Sequence, residues 1–156
     1  MLGFYDGVSH PVLGVDHFLA MVGVGIISMQ IGGRSILIIP LIFVSTMIFG
    51  GFIGIIIEFF FSDLDVYLIK FIDYGIILSV IYCGLLISLQ KSVLDIITIF
   101  FIIIFGFCHG LAHGMEMPWA SNPVLFILGF SSGTAILHLF GIIIGSLLIK
   151  KKITKI

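Results

Sequence analysis

Five apolar runs, each about 20 residues or longer, follow one another with only short breaks, a pattern that fits a bilayer and not a small soluble core. They fall at 8–31, 35–61, 66–89, 92–116 and 123–149. A helix rises ~1.5 Å per residue, so each run can cross a hydrocarbon layer of ~30 Å with some tilt. Hydrophobic residues fill 60% of the 156 positions, far above the usage of soluble domains. The breaks carry Gly, Ser, Asp, Pro or Asn, apart from a tight turn at Gln90-Lys91-Ser92. The sequence therefore predicts an all-α integral membrane protein, with residues 1–156 forming a single transmembrane domain, a compact bundle of about five transmembrane helices.

Charge position orients that bundle. Arg34, Lys91 and the cluster Lys150-Lys151-Lys152 with Lys155 fall on one side of a five-span topology, while the opposite loops, 62–65 and 117–122, hold no Lys or Arg. Basic residues favour the cytoplasmic side. The N-terminus is expected outside and the C-terminus in the cytoplasm, in a multi-pass protein of the inner (plasma) membrane; Lys70 is the one discordant charge. Tyr5, Tyr67 and Trp119 are then expected near the outer interface. The lipid bilayer is thus the first partner, and no basic patch suggests nucleic acid. No basic n-region precedes the first run, which already contains His10, Asp16 and His17, so no cleavable signal peptide is evident. Cys83 and Cys108 lie inside apolar runs and read as packing residues, not a disulfide or metal pair.

Ionisable side chains inside lipid-spanning runs are costly and mark functional sites. Three runs carry them at one depth. At ~1.5 Å per residue, Asp16 and His17 lie ~10–14 Å below the outer start of the first run, and Asp73 ~10 Å below the start of the third. His113 and His109 lie ~5 and ~11 Å below the outer end of the fourth. His109 and His113 are one helical turn apart, the spacing that lets two imidazoles take one metal ion, and Glu116 extends that face toward the surface. Gly110 and Gly114 permit close approach of another helix, expected to bring ligands from the first or third run within reach. His10 and His17 share a face of a regular helix but sit ~10.5 Å apart, too far to hold one ion together. His10 is accordingly placed at the mouth. Asp16 either reaches a neighbouring helix or orients an imidazole.

The remaining polar positions leave alternatives open. Asp73 has a competing ion-pair partner one turn away in Lys70. His138, ~22 Å below the outer end of the fifth run, is either an interhelical hydrogen-bond residue or a second, deeper coordination step. Pro11 is expected in the first turn of its helix, where its missing N–H is harmless. Gly50, Gly51 and Gly54 permit close packing or a local break in the second run. Met21 and Met115 read as packing methionines. The glycine motifs allow dimers or trimers, a homo-oligomer, without requiring one.

These residues together resemble a known family. His10-Pro-Val-Leu-Gly-Val-Asp-His-Phe-Leu-Ala-Met21 with Val22-Gly-Val-Gly25, then Gly32-Gly-Arg34 and Pro40, is similar to the first signature of the HupE/UreJ family, membrane proteins associated with nickel supply to hydrogenase and urease. The likeness resumes at Asp73-Tyr-Gly-Ile-Ile-Leu-Ser-Val80 and at Phe107-Cys-His-Gly-Leu-Ala-His-Gly-Met-Glu-Met-Pro118. It closes with Leu128-Gly-Phe130, Thr134-Ala135, Leu137-His138, Gly141 and Gly145, so that it covers nearly the whole chain.

The resemblance implies a divalent transition-metal permease and not an enzyme, with Ni2+ as transported substrate, Co2+ or Zn2+ as alternatives, and no organic cofactor. It implies His17, His109 and His113 as primary ligands, with Asp16 and Asp73 in or just behind the ligand set. His10 and Glu116 would recruit the ion at the mouth, and His138 would pass it inward. Family members usually carry Glu at position 73, and the shorter Asp arm leaves open whether Asp73 binds the ion directly or stands just behind its ligands. Imidazole and carboxylate donors suit Ni(II), Co(II) and Zn(II). No Gly-rich phosphate loop is present. Three other classes remain open on the residues: an intramembrane zinc-dependent hydrolase drawing on Ser131 or Ser132, a haem-binding electron carrier, and a metal-binding accessory protein that does not transport.

Overall fold

A computed structural model of the chain describes residues 2–61, 65–90, 96–118 and 121–153. Its regular structure among these residues is wholly helical: α1 (Leu2–Leu13), α2 (Val15–Ile31), α3 (Ser35–Phe60), α4 (Asp65–Ser88), α5 (Ile96–Met115) and α6 (Pro123–Ile153). The last four are each long and apolar enough to cross a membrane, and α1 with α2 makes a fifth candidate span, bent by 81°. This is a multi-pass membrane protein. Lys91 and Trp119, and the side chains of Tyr67 and of lysines 150–155, lie outside the described residues.

The first run departs from expectation. A single helix over 8–31 is predicted; the chain instead begins helix at Leu2, stops at Leu13 and restarts at Val15. Pro11 falls in the last turn of α1, where its missing N–H leaves the Gly7 carbonyl without its helical donor. Gly14 then takes an extended conformation, φ −77° and ψ 112°, and the ladder breaks. A side chain at Gly14 would crowd His17 Nδ1 at 3.2 Å and Asp16 Oδ1 at 3.3 Å. The other ends follow local chemistry. At the start of α6 the Leu125 N–H donates to Asn122 Oδ1 at 3.1 Å, and Pro123 occupies the first helical position.

The bundle has its apolar residues outside and its histidines inside. Leu37, Leu41 and Phe49 of α3, Phe71 and Ile81 of α4, and Ile136 and Leu139 of α6 are exposed, while His17, His109, His113 and His138 are buried. Such a surface needs lipid against it. Lipid gives helices no hydrophobic reason to associate, so they hold together by close backbone approach. α3 and α5 meet in this way. A Cβ on Gly110 would strike the Met47 carbonyl and come within 2.7 Å of the Gly51 nitrogen, and one on Gly54 would lie 3.0 Å from the Gly114 Cα. Thus Gly50, Gly51 and Gly54 serve close packing within an unbroken α3.

α6 uses the same device twice. It meets α1 at Gly7–Gly129, where a Cβ on Gly7 would lie 3.1 Å from the other Cα. It meets α2 at Gly25–Gly141, where the corresponding distance is 2.9 Å. One expectation changes here: Gly110 and Gly114 admit α3, not the first or third run. Met21, Met115 and Cys83 are buried in the core, and both cysteines are free.

Gly110→Val tests this packing. The added atoms meet backbone, which cannot yield as a side chain can. The thermal stability of the purified protein should fall by about 2–3 kcal/mol, an overpacking penalty. Gly84→Ala, whose Cβ meets nothing within 4 Å, should leave stability unchanged or slightly raised in the same calorimetric scan.

Candidate metal site

The break at Gly14 turns the last turn of α1 back over the first turn of α2. His10 and His17 consequently lie with ring centroids 6.0 Å apart, well inside the ~10.5 Å that one straight helix would impose. His10 stays partly exposed at the mouth, and its ring also packs edge-on against His113 at 4.8 Å. His17 in turn lies 4.8 Å from His113 and 5.1 Å from His109. Four imidazoles from α1, α2 and α5 form one cluster. On α5 the histidines at 109 and 113 are turned about 100° from the glycines at 110 and 114, so one face of the helix packs on α3 while the adjoining face carries the ligand-type groups.

Hydrogen bonds fix two of these rings. Asp16 Oδ1 accepts from the His17 backbone N–H at 2.9 Å and faces His17 Nδ1 at 3.0 Å. His109 Nδ1 lies 2.8 Å from the Phe105 carbonyl, which can only accept. Both rings therefore carry hydrogen on Nδ1, and in the neutral ring Nε2 keeps its lone pair. His17 Nε2, His109 Nε2 and both nitrogens of His113 are buried with no hydrogen-bond partner. A carboxylate or carbonyl holding Nδ1–H while Nε2 faces inward is how metal-binding histidines are oriented.

Among the described residues no three His, Cys, Asp or Glu side chains already converge as a metal-holding group. The His10–His17, His10–His113 and His17–His109 rings meet edge to face, and His17–His113 at a tilt of 55°. Phe130 stacks on His113 at 5.1 Å and Phe126 stands 6.4 Å from His10, giving the cluster an apolar wall on α6.

Above the cluster opens a cavity of about 520 Å³ that reaches solvent. Its lining includes Asp6, His10, Asp16, His17 and Glu116. Glu116 Oε2 pairs with His10 Nε2 at 3.0 Å, joining α1 to the end of α5. Asp6 accepts from the Ser121 hydroxyl at 2.8 Å. Asp6 is a site residue that the sequence reading missed; it stands one turn before His10, and the signal was lost because the helix was begun at residue 8. Phe126 and Phe130 were missed because aromatic residues in an apolar run carry no distinguishing mark.

The other predicted residues sit differently. Asp73 is exposed at the edge of α4, within electrostatic range of Glu116, Asp16 and His17, so it faces the mouth and is not buried with the rings. Lys70 makes no ion pair with it among the described residues. His138 is buried deeper on α6, apart from the cluster. The Ser132 hydroxyl donates to the Leu128 carbonyl of its own helix at 2.7 Å.

The comparisons with known proteins give the family. The family model described as HupE / UreJ protein matches residues 1–155. The chain belongs to the HupE/UreJ family. Protein HupE of Rhizobium leguminosarum bv. viciae is 34% identical over 145 residues, covering 93% of this chain and 71% of that relative. No solved structure matches. The family is associated with nickel and cobalt transport or accessory function, and its members are not known enzymes.

The tautomers give a direct check. In 15N spectra of the metal-free protein in nanodiscs, His17 and His109 should appear as Nδ1–H imidazoles with Nε2 unprotonated. Asp16→Ala should release His17 from that state and leave His109 in it. An Nε2–H signal from either residue in the wild-type protein contradicts the assignment.

Proposed function

We propose that this HupE/UreJ protein is a permease that carries a divalent first-row ion, nickel foremost, across the plasma membrane. The observation that carries the proposal is the set of buried, unpartnered imidazole nitrogens of His17, His109 and His113 beneath a carboxylate-lined cavity. In a lipid-embedded interior such nitrogens cost stability unless a ligand uses them. Nitrogen with nearby carboxylate oxygen suits Ni(II), Co(II) or Zn(II) and disfavours Mg2+ and Ca2+.

The residues divide the work by position. Asp6, Asp16 and Glu116, with Asp73 nearby, make the cavity negative and draw a hydrated dication toward it. His10 and Glu116 bridge α1 and α5 at its floor, where the ion first loses water. His17, His109 and His113 then supply nitrogen, with Asp16 holding the His17 ring. Asp73, with its short arm and exposed place, contributes charge and not a bond.

In the orientation we propose, the cavity opens outward, opposite Arg34, and the N-terminus lies outside. An inside-negative potential then favours inward movement of a dication by about 4–5 kcal/mol per 100 mV. No other energy source is needed for uptake.

The test is uptake of Ni2+ by proteoliposomes holding an inside-negative potential, with binding followed by calorimetry. His17→Ala and His113→Ala should each lower affinity and initial uptake by about tenfold or more, the scale of loss seen when a metal site loses a contributor. Full binding with no uptake by the wild-type protein would instead identify a non-transporting accessory protein. Unchanged binding in both variants would remove the site.

A further inference from the structure

The fifth histidine stands apart from the cluster. His138 is 1% exposed, and neither ring nitrogen has a hydrogen-bond partner. A histidine kept to hydrogen-bond two helices together would show that bond. Leaving both nitrogens unpaired in the interior costs stability, so the side chain calls for another explanation.

Its surroundings supply one. α6 presents Phe126, Phe130, Thr134 and His138 at four-residue steps along one face. Phe126 lies against His10 and Phe130 stacks on His113. The Thr134 hydroxyl donates to the Met47 sulfur at 3.6 Å. His138 lies 5.3 Å from the Phe43 ring, and Phe43 lies 5.4 Å from His109. Phe43, fully buried, is thus the ring between the cluster and His138. From the level of Phe130 to that of His138 is ~12 Å along the helix.

We propose that His138 is an inner metal stop and that Phe43 is the apolar plug separating it from the outer histidines. The proposal rests on the cluster being a metal site. The stop takes the same class of ion, stripped of most of its water. Imidazole nitrogen is its main donor, with the Met47 thioether and Thr134 hydroxyl one turn nearer the cluster. The imidazole nitrogen suits borderline first-row ions better than Mg2+ or Ca2+, which take oxygen ligands. Passage needs the Phe43 ring to swing aside.

The experiment compares wild type, His138→Leu and His138→Gln in nanodiscs titrated with Ni2+ and in proteoliposomes. Since no hydrogen bond is lost, His138→Leu should melt no lower than wild type, and His138→Gln serves if Leu does not insert. Wild type should bind a second, weaker equivalent that the variants lack, with the first equivalent unchanged. Initial uptake should fall about tenfold, whereas uptake within about twofold of wild type overturns the stop. A variant that keeps the second equivalent also overturns it, as does a wild type that binds only one. Failure of the wild type to bind any Ni2+ would overturn instead the reading of the outer cluster, and is thereby told apart. Phe43→Leu should let the second equivalent load faster in stopped-flow mixing; an unchanged loading rate removes the plug.

Discussion

The contact on which the rest of the structure depends is the approach of α5 to α3 through facing glycines. In a bilayer, apolar side chains lose nothing by staying in lipid, so burial alone would not hold α5 against α3. Gly106, Gly110 and Gly114 let its backbone touch that of α3. With that face occupied, the adjoining face carrying His109 and His113 has to look toward α2 and α1. The metal-type groups are thus pointed inward as a consequence of packing on the other side of the same helix.

A second constraint acts on the opposite wall. One straight helix would have separated His10 from His17 and left the cluster with three rings. Pro11 and Gly14 break the helix, and the 81° bend folds α1 back over α2. The bend is held by Gly7 against Gly129 and by two polar links, His10 to Glu116 and Asp6 to Ser121. The cavity is the space left beneath that bend. Site and entrance therefore share one cause, a local failure of helical hydrogen bonding placed three residues before His17.

Much of this was legible in the sequence. Spans were readable because apolar length is a direct requirement of the bilayer, and His17, His109 and His113 were readable because ionisable groups in such spans are rare. Their common depth followed from helical rise alone. What was hidden depended on tertiary geometry. Pro11 and Gly14 are each compatible with a helix start or a helix break, and only the packing of α1 on α6 decides. The expected separation of His10 from His17 failed for that reason. Asp73 looked buried because depth along a helix was known while direction around it was not; in the structure the buried face of α4 runs through Ile72, Ile76, Ser79 and Cys83, and Asp73 points beside it.

The edge-to-face arrangement of the rings bears on how such a site could release what it binds. Each imidazole in the cluster is already packed against another, a contact worth about 0.5–1.5 kcal/mol for an aromatic pair. An ion that draws the Nε2 atoms together has to undo several of these contacts, so part of the coordination energy is used in repacking. The same rearrangement removes the desolvation penalty of nitrogens that had no partner. In the site we propose the two effects oppose each other, which argues for an affinity below that of a preformed cage. A carrier needs that outcome, because an ion held by a rigid, complete ligand set would enter and stay. Asp16 and the Phe105 carbonyl hold the His17 and His109 rings and fix which nitrogen each offers, so adjustment falls on His113, whose ring no such bond holds.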